Sequence, residues 1–309
     1  MEVLLNWLGT LPGAAAQGLI WGMMAIGLYI TFKILDVADL TVDGSICTGA
    51  AVCVVLVTKG ANIWVAMAAA FVAGALAGLV TGFLHTLLGI PVILSGILTQ
   101  LMLWSCNLLI LGGSTVALTR LKYADKVLFT SDSSPENAQV YITLAILLAI
   151  TAVIIAALYW FFGTELGISL RSTGSNLEMS RAQGINTNFT KVFGLSLSNA
   201  IVAFSGALLA QQQASANINM GKGAIVVGLA AIIVGEAFFS RLTTNFAVRL
   251  MGVVIGSIVY WFVYQTVIFL GLPSELLRML SALVVALFLG LPYLKKQLFS
   301  KKKGVKKNA

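Results

Sequence analysis

The sequence is poor in the side chains from which enzyme active sites are built. It has one histidine, three cysteines and eleven Asp and Glu residues, and charged residues make up 10% of the chain, against about a quarter in soluble domains. A hydrolytic or metal site needs a cluster of His, Cys or carboxylate side chains. We therefore expect neither an enzyme nor a metal or cofactor bound by this chain.

The few reactive residues have simpler interpretations. Cys47, Cys53 and Cys106 fall in apolar runs, where a free thiol behaves as a small hydrophobe, and His85 lies near a predicted helix end, where we expect a structural or interfacial role. A phosphate-binding loop is also missing. Gly221-Lys222-Gly223 has neither the upstream glycine nor the following hydroxyl residue that such a loop requires. The chain is therefore not predicted to hydrolyse ATP.

Long apolar runs are what the sequence has in abundance. Its mean hydropathy is +0.97, and about 20 apolar residues suffice to cross a hydrocarbon core as a helix. The predicted spans are 15–35, 46–57, 62–88, 90–111, 140–162, 192–211, 224–239, 248–270 and 276–294. This pattern predicts an all-α polytopic membrane helix bundle with about nine spans, eight to ten, in one domain over 1–294. The first run lacks the flanks of a signal peptide, so we interpret it as a retained span.

Basic residues are concentrated at the end of the chain. Seven of the nineteen Lys and Arg residues lie in the tail, 295–309. A basic patch is also found in nucleic-acid-binding proteins, but after a final span it more often marks the cytoplasmic side and contacts anionic lipid. We therefore predict a cytoplasmic C-terminus. Counting spans backwards then places 272–275 and 214–223 outside, and 241–249 and the basic loop 163–191 inside.

A polar stretch, GISLRSTGSNLEMSRAQGIN over 167–186, separates two apolar runs. Ser175 and Glu178 are spaced as a capping box, in which each side chain satisfies a free backbone N–H at a helix start. Gly184 is placed to end the helix in a left-handed conformation. The prediction is a helix of about two turns over 176–183, too short to be stable alone in water, which therefore forms because something packs on it.

Several segments of this stretch resemble the cytoplasmic coupling loop of ATP-binding-cassette importer permeases of the branched-chain amino acid and ribose type. They are Thr164-Glu165-Leu166-Gly167, Leu170-Arg171-Ser172, Asn176 and Ala182-Gln183-Gly184-Ile185-Asn186. In that family the short helix docks in a cleft of the ATP-binding subunit and transmits nucleotide-driven closure to the spans. The resemblance thus implies that the coupling helix is formed by Ser175, Asn176, Leu177, Glu178, Arg181, Ala182 and Gly184.

Segments elsewhere resemble the same family. Residues 38–45, ADLTVDGS, are similar to a stretch near the start of sugar-type members, while 89–99 and 219–236 are similar to permeases paired with binding proteins of the tryptophan/tyrosine type. Gly235-Glu236 stands where many members have a Gly-Gly pair, which weakens any transfer of their substrates. The resemblance implies a type II importer-like permease in a bacterial plasma membrane. Its expected partners are a second permease copy, two ATP-binding subunits that hold ATP and Mg, and an external substrate-binding protein.

Polar side chains within or beside the spans are candidates for a translocation path, because such groups are costly in a membrane and tend to face a cavity or another helix. They are Asp39, Asp43, Thr99, Gln211 and Glu236. Asp39 and Asp43 flank a glycine-broken junction ahead of the short run 46–57, which either exposes helix ends to a solute or is an ordinary turn. Glu236 either lines the route or is bonded between helices, with Arg241 as a possible partner.

Two functions of different classes fit these observations. The first is the permease of a binding-protein-dependent importer that carries a small solute, such as an amino acid, and is driven by ATP hydrolysis in separate subunits. The second is a self-sufficient secondary transporter or channel, which inverted repeats and paired intramembrane acids or bases would favour. The sequence shows no convincing repeat and few intramembrane charges. It also lacks the nucleophile and base that a membrane enzyme would need.

Overall fold

The computed structural model describes residues 2–118, 128–129, 136–239 and 245–269, with isolated positions at 279, 282, 283, 286 and 290. Most of this part of the chain is helical. The helices are α1 Glu2–Tyr29, α2 Val42–Thr58, α3 Ile63–Thr86, α4 Val92–Leu111, α5 Glu136–Phe161, α6 Glu165–Ser175, α7 Leu177–Ala182, α8 Thr187–Gln212, α9 Ala224–Phe239 and α10 Phe246–Phe269. A π-helical turn, Ile30–Ile34, extends α1. Two short strands, β1 Thr115–Ala117 and β2 Ser215–Asn217, pair antiparallel.

Helices occupy eight of the nine predicted apolar runs. Six helical segments within the described ranges are long and apolar enough to cross a membrane. They are Gly9–Ile34, Ile63–Thr86, Val92–Leu111, Gln139–Phe161, Thr187–Gln212 and Phe246–Phe269. The helices α2 and α9 are apolar but shorter, and the run 276–294 lies outside the described residues except at isolated positions. The membrane helix bundle is confirmed, whereas the count of about nine spans is not.

Helices α1 and α8 form the centre of the bundle, since most of each is buried. Hydroxyl groups of α8 tie them together: Ser198 donates to the carbonyl of Gly27 at 2.7 Å and Ser205 to that of Ile20 at 2.7 Å. On its other side α8 packs against α3, where Gly74 and Gly78 meet its backbone so closely that any Cβ would collide. These small residues thus let α3 and α8 approach closely.

Helix α2 runs parallel to α8 but begins only halfway along it. Near its start, Ser45 donates to the side-chain oxygen of Asn199 at 2.6 Å, and Asn199 lies at the midpoint of the 26-residue α8. Near its end, Cys53 lies 3.7 Å from the amide nitrogen of Gln211. The segment 36–41, which connects α1 to α2, therefore lies inside the bundle.

Helix α9 also begins within the bundle. Gly228 packs against Met24 and Leu28 of α1, and Glu236 contacts Lys33 at the end of the π-helical turn. Thus α9 runs beside α1 in the same direction. The helices α2 and α9 begin next to each other and extend toward opposite ends of the bundle; we call the place where they meet the junction.

The two ends of the bundle differ. One end, the ribbon end, has the β1–β2 pair beside the last residues of α4 and α8. The other end, the loop end, has α6 and α7 between α5 and α8, next to the π-helical turn. The loop end contains the stretch that resembles a coupling loop, and the junction lies between the two ends.

Candidate functional site

The predicted short helix is present as α7, but its first residue is capped differently. Asn176 has an extended backbone, φ −155° and ψ 107°, and its side-chain oxygen accepts the N–H of Met179 at 3.0 Å. Ser175 is still the last residue of α6, so the predicted Ser175–Glu178 capping box is wrong. Because the break in the helix falls one residue later, Asn176 occupies the N-cap position. Glu178 lies instead 3.8 Å from the guanidinium of Arg181.

The other end of α7 is closed as predicted. Gly184 has φ +81°, and its N–H donates to the carbonyl of Arg181 at 3.0 Å while the N–H of Ile185 donates to that of Ser180 at 3.1 Å. This pair of bonds is the Schellman motif, which satisfies carbonyls at a helix end and favours glycine. The exposed Ala182 is the last residue of the helix.

A second helix, α6, precedes α7 and was not predicted from the sequence. Thr164 caps it by accepting the N–H of Gly167 at 3.4 Å, and Glu165 lies in its first turn. Leu170 and Thr173 are buried three residues apart on one face. This helix could have been predicted from the threonine cap followed by an acidic residue and from this spacing of buried residues.

Side-chain bonds and one close backbone contact hold α6 and α7 on the bundle. Gly174 packs so tightly on the carbonyl of Ile34, in the π-helical turn, that no Cβ would fit. The hydroxyls of Thr173 and Thr190 are 3.0 Å apart, and Arg181 donates through Nε to Thr187 at 3.1 Å. The loop end is therefore attached to the rest of the fold at both α8 and the end of α1.

Large apolar side chains remain exposed at the loop end. They belong to Leu166, Ile168, Met179 and Phe189, each about half exposed; we call them the loop-end apolar group. Leu177, which the resemblance assigned to the coupling helix, is only partly exposed. The side chain of α7 that is best placed to meet another protein is therefore Met179.

Glu236 forms an ion pair with Lys33. The ammonium nitrogen lies 2.9 Å from Oε1 and 3.1 Å from Oε2, and both side chains are partly exposed. Arg241, the partner considered from the sequence, lies outside the described residues. Glu236 thus joins α9 to the π-helical turn on which Gly174 packs.

Asp39 and Thr99 belong to a buried polar network. Asp39 accepts the backbone N–H of Thr41 at 2.9 Å and the amide of Asn199 at 2.7 Å. The Thr41 hydroxyl is 2.8 Å from that of Thr81, which donates to Thr99 at 2.9 Å. These five side chains are at most 2% exposed, so the network ties the segment 36–41 to three helices.

Gln211 is also buried, at the ribbon end. It is 3% exposed, and its side-chain oxygen accepts the N–H of Leu128 at 3.3 Å. The structure therefore places Asp39, Thr99, Gln211 and Glu236 in contacts between elements.

Asp43, the fifth path candidate, lines a cavity at the junction. From the first turn of α2 its carboxylate accepts the N–H of Gly223 at 3.1 Å and that of Ile225 at 3.0 Å. It thereby satisfies free N–H groups at the start of α9. A capping residue normally does this for its own helix, whereas Asp43 belongs to α2.

The cavity beside Asp43 has a volume of about 260 Å³. Polar side chains from three parts of the chain line it: Asp43, Gln100 and Asn107, and Lys222 from the connection before α9. Trp104 and Leu101 of α4, both exposed, form an apolar wall. Asn107, Gln100 and Lys222 were not predicted from the sequence. Asn107 could have been found, because it is a polar residue within an apolar run.

The chain matches a family model described as "Branched-chain amino acid transport system / permease component" over residues 11–289. The chain belongs to this permease family. It is a membrane-spanning permease of an ATP-binding-cassette importer, and its role in the complex is transport rather than catalysis.

Relatives of this permease show the range of the family. It is 38% identical over 273 residues to a tyrosine transport system permease protein of Clostridioides difficile, covering 88% of each chain. It is 24% identical to the ribose import permease protein RbsC of Escherichia coli, covering 86% of this chain and 79% of that one. The autoinducer 2 import system permease protein LsrC of Yersinia pestis is 26% identical, with coverages of 86% and 71%.

Proposed function

We propose that this permease works as a homodimer with two ATP-binding subunits and an external substrate-binding protein in a bacterial plasma membrane. It would import a small solute, most simply an amino acid, because its 38% identical relative is a tyrosine permease. ATP and Mg would be held by the partner subunits. One permease domain would span 1–294, with 295–309 as a basic cytoplasmic tail.

The exposed loop-end apolar group is the observation that carries this proposal. Large apolar groups at the end of a bundle are unfavourable in water, and a protein partner is one way to cover them. The residues taken from the coupling-loop resemblance lie here, on two helices that are bonded to the bundle and to each other. A partner that pulls on α7 would therefore move the end of α1 through Gly174 and Ile34, and α9 through Lys33 and Glu236.

The exposed face of α4 supports a second copy of the chain. Only 22% of its span is buried, and it has Leu101, Trp104 and Leu109 exposed. A face of this kind meets either lipid or another protein. In a homodimer with α4 near the axis, the cavity at the junction would face the space between the two copies.

The substitution Met179→Asp tests the docking surface. A charge on the exposed face of α7 leaves the spans intact but is unfavourable in an apolar interface, so we expect normal membrane levels and loss of the ATP-binding subunit that co-purifies with the tagged wild-type permease. Met179→Leu and Gln213→Glu, which adds one negative charge at an exposed site of the ribbon end, are the controls and should retain the subunit.

The same experiment separates the two classes of function. A secondary transporter or channel would take up its solute without any ATPase. Uptake by reconstituted permease alone, with no ATPase captured by the wild-type chain, would contradict the importer complex.

A further inference from the structure

We propose that the cavity at the junction binds the carboxylate and ammonium groups of an amino-acid solute, with its side chain against Trp104 and Leu101. This rests on the proposed import function and deepens it.

Lys222, which is exposed, supplies a positive charge at the edge of the cavity. No acid or acceptor group among the described residues pairs with its ammonium, although it lines the same cavity as Asp43. The carboxylate of Asp43 is already engaged by the N–H groups of Gly223 and Ile225. The start of α2 adds partial positive charge at this place. The cavity is therefore suited to an anionic group, as at the interrupted helices of other transporters.

Asn107 supplies an unsatisfied acceptor. Its side chain is 1% exposed, and its Oδ1 accepts no hydrogen bond within the described part of the chain. A buried polar atom without a partner is costly and calls for an explanation. A donor brought by a ligand, such as the ammonium of an amino acid, would satisfy it.

The size and walls of the cavity limit the ligand. At about 260 Å³ it lies just below the range of about 300–1,000 Å³ typical of small-molecule sites, so the ligand is small. Besides the charged and amide groups, Trp104, Leu101 and Ile218 give an apolar surface. A cation, an acceptor and an apolar wall together match a zwitterion with an apolar or aromatic side chain better than a sugar, which has many hydroxyls and no charge.

The charge selectivity of the cavity can be measured without knowing the solute. Gln100→Cys, in a background with Cys47→Ser and Cys106→Ser and in the whole importer complex in lipid nanodiscs, places a thiol at the cavity; Cys47 is replaced because it also lines the cavity. The probes are the anionic ethylsulfonate and the cationic trimethylammonium methanethiosulfonates. Relative to their rates with a free thiol in solution, we expect the anionic probe to react about tenfold faster, the ratio that corresponds to about 1.4 kcal/mol. Adding Lys222→Gln should abolish this preference, whereas Lys59→Gln, the same change at an exposed lysine of the ribbon end, should keep it. Equal rates for both probes, or no difference between the two lysine variants, would overturn the proposal.

Uptake gives the second test. In proteoliposomes with the binding protein outside and ATP inside, Lys222→Gln and Asn107→Leu should reduce uptake of labelled L-tyrosine or L-leucine about tenfold or more, because each variant loses a hydrogen bond to a charged group of the solute. Lys59→Gln should resemble wild type. Uptake of D-ribose but of neither amino acid would overturn the subsite while leaving the importer function intact. No ATP-dependent uptake and no captured ATPase would instead refute the importer itself.

Discussion

At the scale of single residues, the loop end depends on two that close α7. Asn176 and Gly184 act through backbone geometry, one by breaking the helix with an extended conformation and the other with φ +81°. Neither needs a distant partner. Asn107 is the opposite case, because the role of its unsatisfied oxygen depends on the other residues that line the cavity.

The Schellman glycine gives a prediction at this scale. Gly184→Val places a β-branched residue at a positive φ, which costs about 1–3 kcal/mol, although nothing lies near enough to clash with its Cβ. We expect normal amounts of permease in the membrane but reduced ATP hydrolysis in response to the solute-loaded binding protein. Gly184→Asn is the matched control, since asparagine tolerates the left-handed region, and it should remain near wild type. If valine and asparagine behave alike, the geometry of this helix end has no part in coupling.

At the scale of elements, the important contacts lie at helix ends. The π-helical turn after α1 touches α6 through Ile34 and Gly174, and the neighbouring Lys33 pairs with Glu236 of α9. The start of α9 in turn is held by Asp43. A continuous series of contacts thus connects the loop end to the cavity at the junction. These contacts can couple the two places if they exist in two alternative arrangements.

The Lys33–Glu236 pair tests this series. A partly exposed ion pair contributes about 1 kcal/mol or less to folding, so Glu236→Gln should leave the complex assembled. We expect less solute transported per ATP hydrolysed, because α9 is no longer held to the π-helical turn. The double variant Lys33→Glu with Glu236→Lys restores an opposite-charge pair and should recover much of the loss. Wild-type uptake kinetics in Glu236→Gln would show that the pair only packs the helices.

At the scale of the whole molecule, the bundle has two unlike ends and two short helices that start between them. The spans α3 and α8 run in opposite directions along a seam of small residues, so their ends alternate between the ribbon end and the loop end. If the loop end meets ATP-binding subunits, it is cytoplasmic and the ribbon end is external. The junction then lies at mid-depth in the membrane, where a translocated solute must pass.

Thiol labelling checks this orientation. In a Cys106→Ser background, a membrane-impermeant maleimide applied to intact cells should label Lys59→Cys at the ribbon end but not Gln183→Cys at the loop end. A thiol added at the C-terminus should also resist labelling, from the seven basic residues of the tail. After the cells are opened, all three should react. Labelling of Gln183→Cys in intact cells would reverse the topology and separate the loop end from any cytoplasmic ATPase.

The sequence by itself determined what depends on neighbouring residues. An apolar run of sufficient length must satisfy its backbone as a helix in lipid, which is why eight predicted runs coincide with helices, and Gly184 ends α7 because its conformation is a local property. Only the tertiary structure decided that α2 and α9 begin inside the bundle, that Glu236 pairs with Lys33, and that Asp43, Asn107 and Lys222 share one cavity. These facts depend on helices far apart in the chain packing side by side, and the pattern of apolar residues within each helix does not specify which neighbour its polar groups will meet.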